Sequence, residues 1–174
     1  SLKLAAVLSA LLLVSCLGKP PGVTPVDSFE LERYLGRWYE IARLDHSFER
    51  GLENITANYS LRDDGGVRVV NRGWSVENGE WEEAEGKALF VEDDDIGYLK
   101  VSFFGPFYGS YVVFGLDQEN YQYAFISGPN TSYLWLLARE PQIDDALLER
   151  FRSRATGLGF DLSELIVVEH DRQP

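Results

Sequence analysis

Eight short runs rich in β-branched and aromatic residues recur along the chain, joined by links short enough for hairpins, and this rhythm constrains the fold more than any other feature. The runs cover residues 38–43, 55–61, 67–74, 81–90, 98–103, 111–116, 121–127 and 133–139. The links carry turn signals, among them Arg62-Asp63-Asp64-Gly65-Gly66, Glu77-Asn78-Gly79-Glu80 and Asp117-Gln118-Glu119-Asn120. A spacing of about 10 to 12 residues with hairpin links predicts an antiparallel up-and-down meander. Within the third run Val67, Val69 and Asn71 alternate with Arg68, Val70 and Arg72, so one face leans apolar. An open sheet of this kind has two unpaired edges, and closure into a barrel removes both. Eight strands enclose side chains or one small ligand, and leave no channel. The predicted fold is therefore all-β, an eight-stranded antiparallel up-and-down barrel.

One helix is expected after Pro141. Ile143, Leu147, Phe151, Ala155 and Leu158 fall on one helical face, and Gly157 and Gly159 provide a stop. Arg150, Arg152 and Arg154 sit on or beside the other face. The stripe predicts a C-terminal α-helix packed outside the barrel, with 165–168 as a short last strand.

The first 26 residues stand apart from this pattern. Residues 1–15, with Lys3 and an apolar run over 4–14, read as a secretory signal of lipoprotein type, and the run is too short to span a bilayer. Leu13-Val14-Ser15-Cys16 resembles a lipobox, in which the chain is cut before the cysteine and Cys16 carries acyl chains; a plain signal with an incidental cysteine is the alternative. Several acyl chains on one residue anchor stably, at about 0.8 kcal/mol per buried methylene. Leu17, not Asp, follows Cys16, which in such lipoproteins implies the outer membrane, with the domain on its periplasmic side. Residues 16–26 contain Gly18, Pro20, Pro21, Gly22 and Pro25 and read as an extended tether. At about 3 Å per residue that tether would hold the barrel domain, 27–174, roughly 30 Å from the lipid.

Charge and composition narrow the function. Lys and Arg number 16 against 28 Asp and Glu, so a nucleic acid partner is excluded for want of a basic face. One cysteine forbids an intramolecular disulfide, and two histidines, His46 and His170, leave little for a metal site; no metal and no cofactor are expected. The run Glu92-Asp93-Asp94-Asp95 reads as a solvated hairpin tip and not as a calcium loop. No Gly-x-Ser-x-Gly elbow, phosphate loop or His-Glu-x-x-His is present, and Glu40 with His46 would make an acid–base pair with no nucleophile to serve. Binding is expected, not catalysis. The three glycosylation sequons at Asn54, Asn58 and Asn130 are read as incidental.

Three elements then point to a family. Gly36-Arg37-Trp38 opens the first strand, Asp117 and Tyr121 flank the sixth-to-seventh turn, and Leu137-Ala138-Arg139 ends the eighth. Together they resemble the lipocalins, although the middle element departs from the family's Thr-Asp-Tyr spacing. The stretch Tyr34-Leu35-Gly36-Arg37-Trp38-Tyr39-Glu40-Ile41-Ala42-Arg43, with Asp45-His46, Phe48-Glu49-Arg50-Gly51-Leu52, residues 59–66 and 99–109 and Tyr133-Leu134-Trp135, resembles those lipocalins that are bacterial outer-membrane lipoproteins. The resemblance implies an outer-membrane-anchored protein that binds, stores or transports fatty acids, lysophospholipids or phospholipids for membrane maintenance. Its partners would be a small hydrophobic or amphipathic lipid and, through the N-terminal anchor, the membrane; homodimer formation is left open. The alternative is an interaction module, its barrel filled by its own aromatics, that uses a patch over 103–108 to bind another envelope protein.

Gly36, Trp38, Asp117, Tyr121 and Arg139 are assigned to structure, since a guanidinium laid on an indole gains cation–π attraction and packing. In an up-and-down barrel alternate connections share an end. The mouth is then built from 44–54, 75–80, 104–108 and 128–132, while 62–66, 91–97 and 117–120 cap the closed end. The candidate ligand residues at the mouth and in the cavity are His46, Phe48, Arg50, Trp74, Trp81, Phe104, Phe107 and Tyr108. Arg50, helped by His46, is a candidate contact for a lipid phosphate or carboxylate; the alternative is a solvated arginine or one paired to Glu49 or Glu53.

Overall fold

In the computed structural model, which describes residues 17–173, each strand pairs antiparallel with the next and the last returns to the first. The strands are β1 (Gly36–Arg43), β2 (Leu52–Leu61), β3 (Val67–Ser75), β4 (Glu80–Phe90), β5 (Tyr98–Phe104), β6 (Phe107–Leu116), β7 (Tyr123–Ser127) and β8 (Leu134–Ala138). Tyr39 faces Thr56 of β2 on one side and Ala138 of β8 on the other, which closes the ring. The eight-stranded antiparallel barrel read from the sequence is thus present, and so is the outer helix. A four-residue helix not anticipated there, α1 (Leu31–Tyr34), lies before β1. The expected signal segment and Cys16 lie outside the described residues.

Alternation sorts the side chains into two cores. Inside the barrel, Trp38, Ala57, Tyr59, Val67, Val69, Ala88, Leu99, Val113, Ala124, Ile126 and Leu137 pack together with Phe29, Tyr34 and Tyr121. On the outer wall, Ala42, Val112, Phe114, Phe125, Leu134 and Leu136 receive Phe151 and Ala155 of the C-terminal helix α2 (Asp145–Gly157). Asp144 caps α2 by accepting from the Leu147 N–H at 2.8 Å, and Gly159, with φ +93°, turns the chain away beyond it. Arg154 and Arg150 of α2 reach back to the barrel: Nη2 of Arg154 donates to the Phe114 carbonyl at 2.6 Å, and the Arg150 guanidinium lies 5.2 Å from the Tyr123 ring.

Strand β1 carries a bulge that matters later. Glu40 pairs with Leu137, Ala42 with Leu136 and Arg43 with Trp135, so one residue is extra between Glu40 and Ala42. Ile41 and Ala42 both face the outer core, and Glu40 and Arg43 both face inward with Leu137 and Trp135. Past the bulge β1 takes a third partner, β9 (Ile166–Val167), and the C-terminal tail follows along the wall. There Asn54 binds that tail through its N–H to the Glu169 carbonyl at 2.8 Å and through Nδ2 to Asp171 at 3.0 Å.

The expected free tether needs correction. Residues 17–26 lie against the outer wall: Val23 is wholly buried in the outer core, the Val26 N–H donates to the Val113 carbonyl, and the Gly97 N–H donates to the Val26 carbonyl. Ser110 Oγ donates to the Gly18 carbonyl at 2.5 Å, and the Tyr98 hydroxyl donates to that of Leu17. A Pro- and Gly-rich composition predicts extended backbone correctly. It says nothing of a single valine that finds a groove formed by distant strands.

Candidate functional site

At the closed end every polar group near Trp38 has a partner. The indole Nε1 donates to the Tyr34 carbonyl at 2.8 Å, and the Arg139 guanidinium lies 3.8 Å from the indole centroid. Arg139 uses all three nitrogens: Nε donates to the Tyr121 carbonyl, Nη1 to Arg37 and Nη2 to Arg33, at 3.1, 2.8 and 2.8 Å. Gly36 lies beside that guanidinium and adopts a φ of +96°, where a side chain is strained. Asp117 holds the β6–β7 turn by accepting from the Asn120 and Gln122 N–H groups. Tyr121 returns the same end to α1, its hydroxyl accepting from the Glu30 N–H at 3.0 Å.

Above Trp38 the barrel interior acquires a floor of three buried tyrosines. Tyr111 sits between Tyr34 and Tyr59, with hydroxyl separations of 2.5 and 2.8 Å. Burial pushes all three phenols up, so they stay neutral hydroxyls. The gap left beside them is about 10 Å³, room for about one water. Over this floor the inward-facing positions are small. Ala57, Ala84, Gly86 and Gly109 share the inner face with Asn71 by register; a Cβ at Gly109 would meet nothing within 4 Å, whereas the Phe103 ring fills the space over Gly86. The stretch of interior between the floor and the mouth, lined mainly by small side chains, is the candidate chamber.

The wall of that chamber near the mouth holds a charged cluster. Glu40 faces inward by alternation with Trp38, Arg43 is there because of the β1 bulge, and His46 and Glu49 come from the first loop; Glu40, Arg43 and His46 are buried. Arg43, 2% exposed, makes one hydrogen bond, from Nη2 to the Glu49 carbonyl at 3.0 Å. Its Nε and Nη1 have no partner, nor do Nδ1 and Nε2 of His46. His46 Nε2 approaches Glu49 Oε1 to 3.1 Å off the line of a hydrogen bond, and the Trp135 indole N–H donates to the same oxygen at 3.2 Å. Tyr133 and Trp135 shelter the imidazole at 5.7 and 5.4 Å.

The two carboxyls divide one proton. Burial, then the Glu49 charge and its hydrogen bond, push Glu40 well above the ordinary carboxyl range, which favours its protonated form as donor to Glu49. Burial pushes Glu49 up as well, but the hydrogen bond from Glu40 and the approach of His46 and Arg43 outweigh it and hold it ionised. Arg43 meets Glu49 only through the backbone carbonyl, which leaves the N–H groups of its Nε and Nη1 directed at nothing. A buried donor without a partner costs about 1–3 kcal/mol, and more when charged, which an entering anionic group relieves.

Of the residues expected from the sequence, His46 alone joins this cluster. Arg50 is 65% exposed and ion-paired with Asp45 at 2.9 Å, as the alternative reading has it though with another partner, while the buried arginine at the mouth is Arg43. Trp74, Trp81 and Tyr108 are corrected, since register places them on the outer wall. The two indoles meet edge to face at 5.5 Å, under Arg172 on Trp74 and Arg72 on Trp81, while Lys100 covers Tyr108. A signal for this was available, because Trp74 shares its parity with Arg68 and Arg72. Phe48, Phe104 and Phe107 lie on the rim, 71, 70 and 75% exposed. Arg43 and Trp135 were missed, the first because strict alternation puts it opposite Glu40.

Comparison with known proteins agrees with this architecture. Residues 29–170 match the family model described as a lipocalin-like domain. The chain is 61% identical over 163 residues to the outer membrane lipoprotein Blc of Vibrio cholerae, covering 94% of this chain and 95% of that protein. It is 52% identical to the outer membrane lipoprotein Blc of Escherichia coli strain K12, covering 95% and 94%. Insecticyanin from the tobacco hornworm Manduca sexta shares the fold with a TM-score of 0.69 at 24% identity, over 87% of this chain and 86% of that one.

Proposed function

The chain belongs to the lipocalin-like family, and from that premise we propose that it is an outer-membrane lipoprotein that binds one amphipathic lipid at a time. The acyl chain lies in the apolar chamber above the tyrosine floor, and the anionic headgroup meets Arg43 and His46. The observation that carries this reading is the set of unpartnered buried nitrogens on Arg43 and His46. Buried polar atoms are normally satisfied, and a cluster of exceptions at the mouth of an apolar chamber is where a polar head on an apolar tail completes the bonding. Fatty acids, lysophospholipids and phospholipids meet this description, and carriage of such lipids for membrane maintenance is the role proposed. The names of the relatives, together with the lipobox ending at Cys16, support lipid anchoring in the outer membrane.

The test is displacement of a hydrophobic fluorescent probe by a lysophospholipid and by an uncharged fatty alcohol of equal chain length. Arg43→Gln keeps hydrogen-bond donors and removes the charge, so it should weaken the lysophospholipid alone. A charge-assisted bond contributes about 1.5–3 kcal/mol, so the loss is about ten- to a hundredfold. Equal losses for both ligands would refute the headgroup assignment, and no displacement by either in the unaltered protein would refute lipid binding.

A further inference from the structure

The exposed aromatic residues are not scattered. Among the described residues, the phenylalanines that stand out from the surface, Phe48, Phe103, Phe104 and Phe107, all lie at the mouth, with Val76 on a third mouth loop. Phe103, Phe104 and Phe107 flank Gly105-Pro106 at the tip of the β5–β6 hairpin, beyond the contacts that hold the cores. The three exposed phenylalanines of one hairpin tip, larger than the exposed Leu61 and Val91 of the closed end, mark an interaction surface, and two further observations say what it meets.

The first is where the N-terminal segment leaves the barrel. From Val26, bonded to Val113, the chain runs back along the outer wall to Gly18, bonded to Ser110. On β6 the step from Val113 to Ser110 leads toward the mouth, and Phe107 lies three residues further in the same direction, about 10 Å at the rise of a strand. Cys16 is two residues beyond Gly18, at most about 7 Å. Because residues 17–26 are fixed to the wall, the barrel cannot swing freely on a long spacer. The second observation is charge. Residues 96–116 contain one charged side chain, Lys100, in a chain with 28 acidic residues. The acidic run over 92–95 lies at the opposite end of the barrel, where an anionic leaflet would repel it.

We propose that the mouth rim, centred on the β5–β6 hairpin, docks in the interfacial layer of the same leaflet that carries the anchor, so that the chamber opens onto the bilayer. Phe104 and Phe107 enter the acyl boundary, Phe48 and Val76 follow on neighbouring loops, and the acidic end points away. A lipid then passes between leaflet and chamber without crossing water. The docking rests on the reading of Cys16 as the lipid anchor.

The test uses the acylated protein in vesicles of phosphatidylethanolamine and phosphatidylglycerol containing spin-labelled lipid. Acylation consumes the one native thiol, so a single introduced cysteine is a unique site for an environment-sensitive fluorophore. Gly105→Cys labels the hairpin tip, where a Cβ meets nothing within 4 Å, and Asp94→Cys labels the closed end. The label at 105 should shift to the blue and be quenched by the lipid, and the label at 94 should not. Phe104→Ser with Phe107→Ser should abolish the quenching while the protein still floats with the vesicles and unfolds at an unchanged temperature. Equal signals at 105 and 94 in protein that floats would overturn the docking and leave the anchor intact. Protein that fails to float would defeat the anchor and the docking together. Quenching seen in native membranes and absent from protein-free vesicles would replace the lipid surface by a protein partner and overturn the proposal.

Discussion

Two inward-reaching arginines, one at each end of the barrel, meet opposite fates. Arg139 at the closed end directs all three nitrogens to the carbonyls of Tyr121, Arg37 and Arg33 and lays its plane on Trp38. Arg43 near the mouth is more deeply buried, yet only Nη2 has a partner. Burial alone would predict the better satisfied group to be the deeper one. The inversion accords with the proposed division of stability from binding: the closed-end guanidinium spends its donors internally, and the one near the mouth does not. Donors used internally hold the strands together, whereas donors left over await something the chain does not supply.

The largest effect that tests this contrast belongs to the closed end. Trp38→Ala removes a wholly buried indole from the inner core together with the face on which Arg139 rests, and should destabilise by about 3–5 kcal/mol in chemical denaturation. A Trp38→Ala protein of full stability that had lost only ligand affinity would erase the distinction between the ends.

A smaller effect, and one that depends on pH, belongs to the mouth. In the fold Glu40 keeps its proton above the ordinary carboxyl value of 4.5, whereas in the unfolded chain it loses it. Below that value both states are protonated and Glu40 contributes no pH dependence. Above it, stability falls as pH rises, by up to about 1.4 kcal/mol per unit, until the folded group also ionises. Glu49 acts in the opposite sense, its contribution being present above 4.5 and lost as pH falls through its lowered value. Glu40→Gln keeps a donor for Glu49 and cannot ionise, so its stability between pH 5 and 8 should fall less steeply than that of the unaltered protein. Parallel profiles would show that Glu40 is ionised in the fold. The smallest effect is at Arg50, whose pair with Asp45 is exposed. Arg50→Ala should change stability by about 0–1 kcal/mol and leave lysophospholipid affinity unaltered. A selective loss of affinity for the charged lipid would return Arg50 to the binding site and weaken the case for Arg43.

Much of this molecule is legible without coordinates because its information is local. Period-two alternation and turn chemistry specify eight strands, the sorting of the loops into two ends and the inward course of Val67 and Val69; helical spacing specifies the face of α2 that carries Phe151 and Ala155. Even the outward turn of Trp74 is implied by its parity with Arg68 and Arg72. Three features are different in kind. The extra residue between Glu40 and Ala42 exists only relative to β8, and it alone puts Glu40 and Arg43 on one face. Val23 is buried because β6, α2 and a loop from another part of the chain build a groove where it falls. The shared proton of Glu40 and Glu49 needs two carboxyls from a strand and a loop to be pressed together away from water. Register, groove and proton each depend on the relative placement of segments distant in sequence. Alternation along one strand carries no term for that placement, so the barrel is determined by the sequence read locally and its binding cluster by the closed tertiary structure.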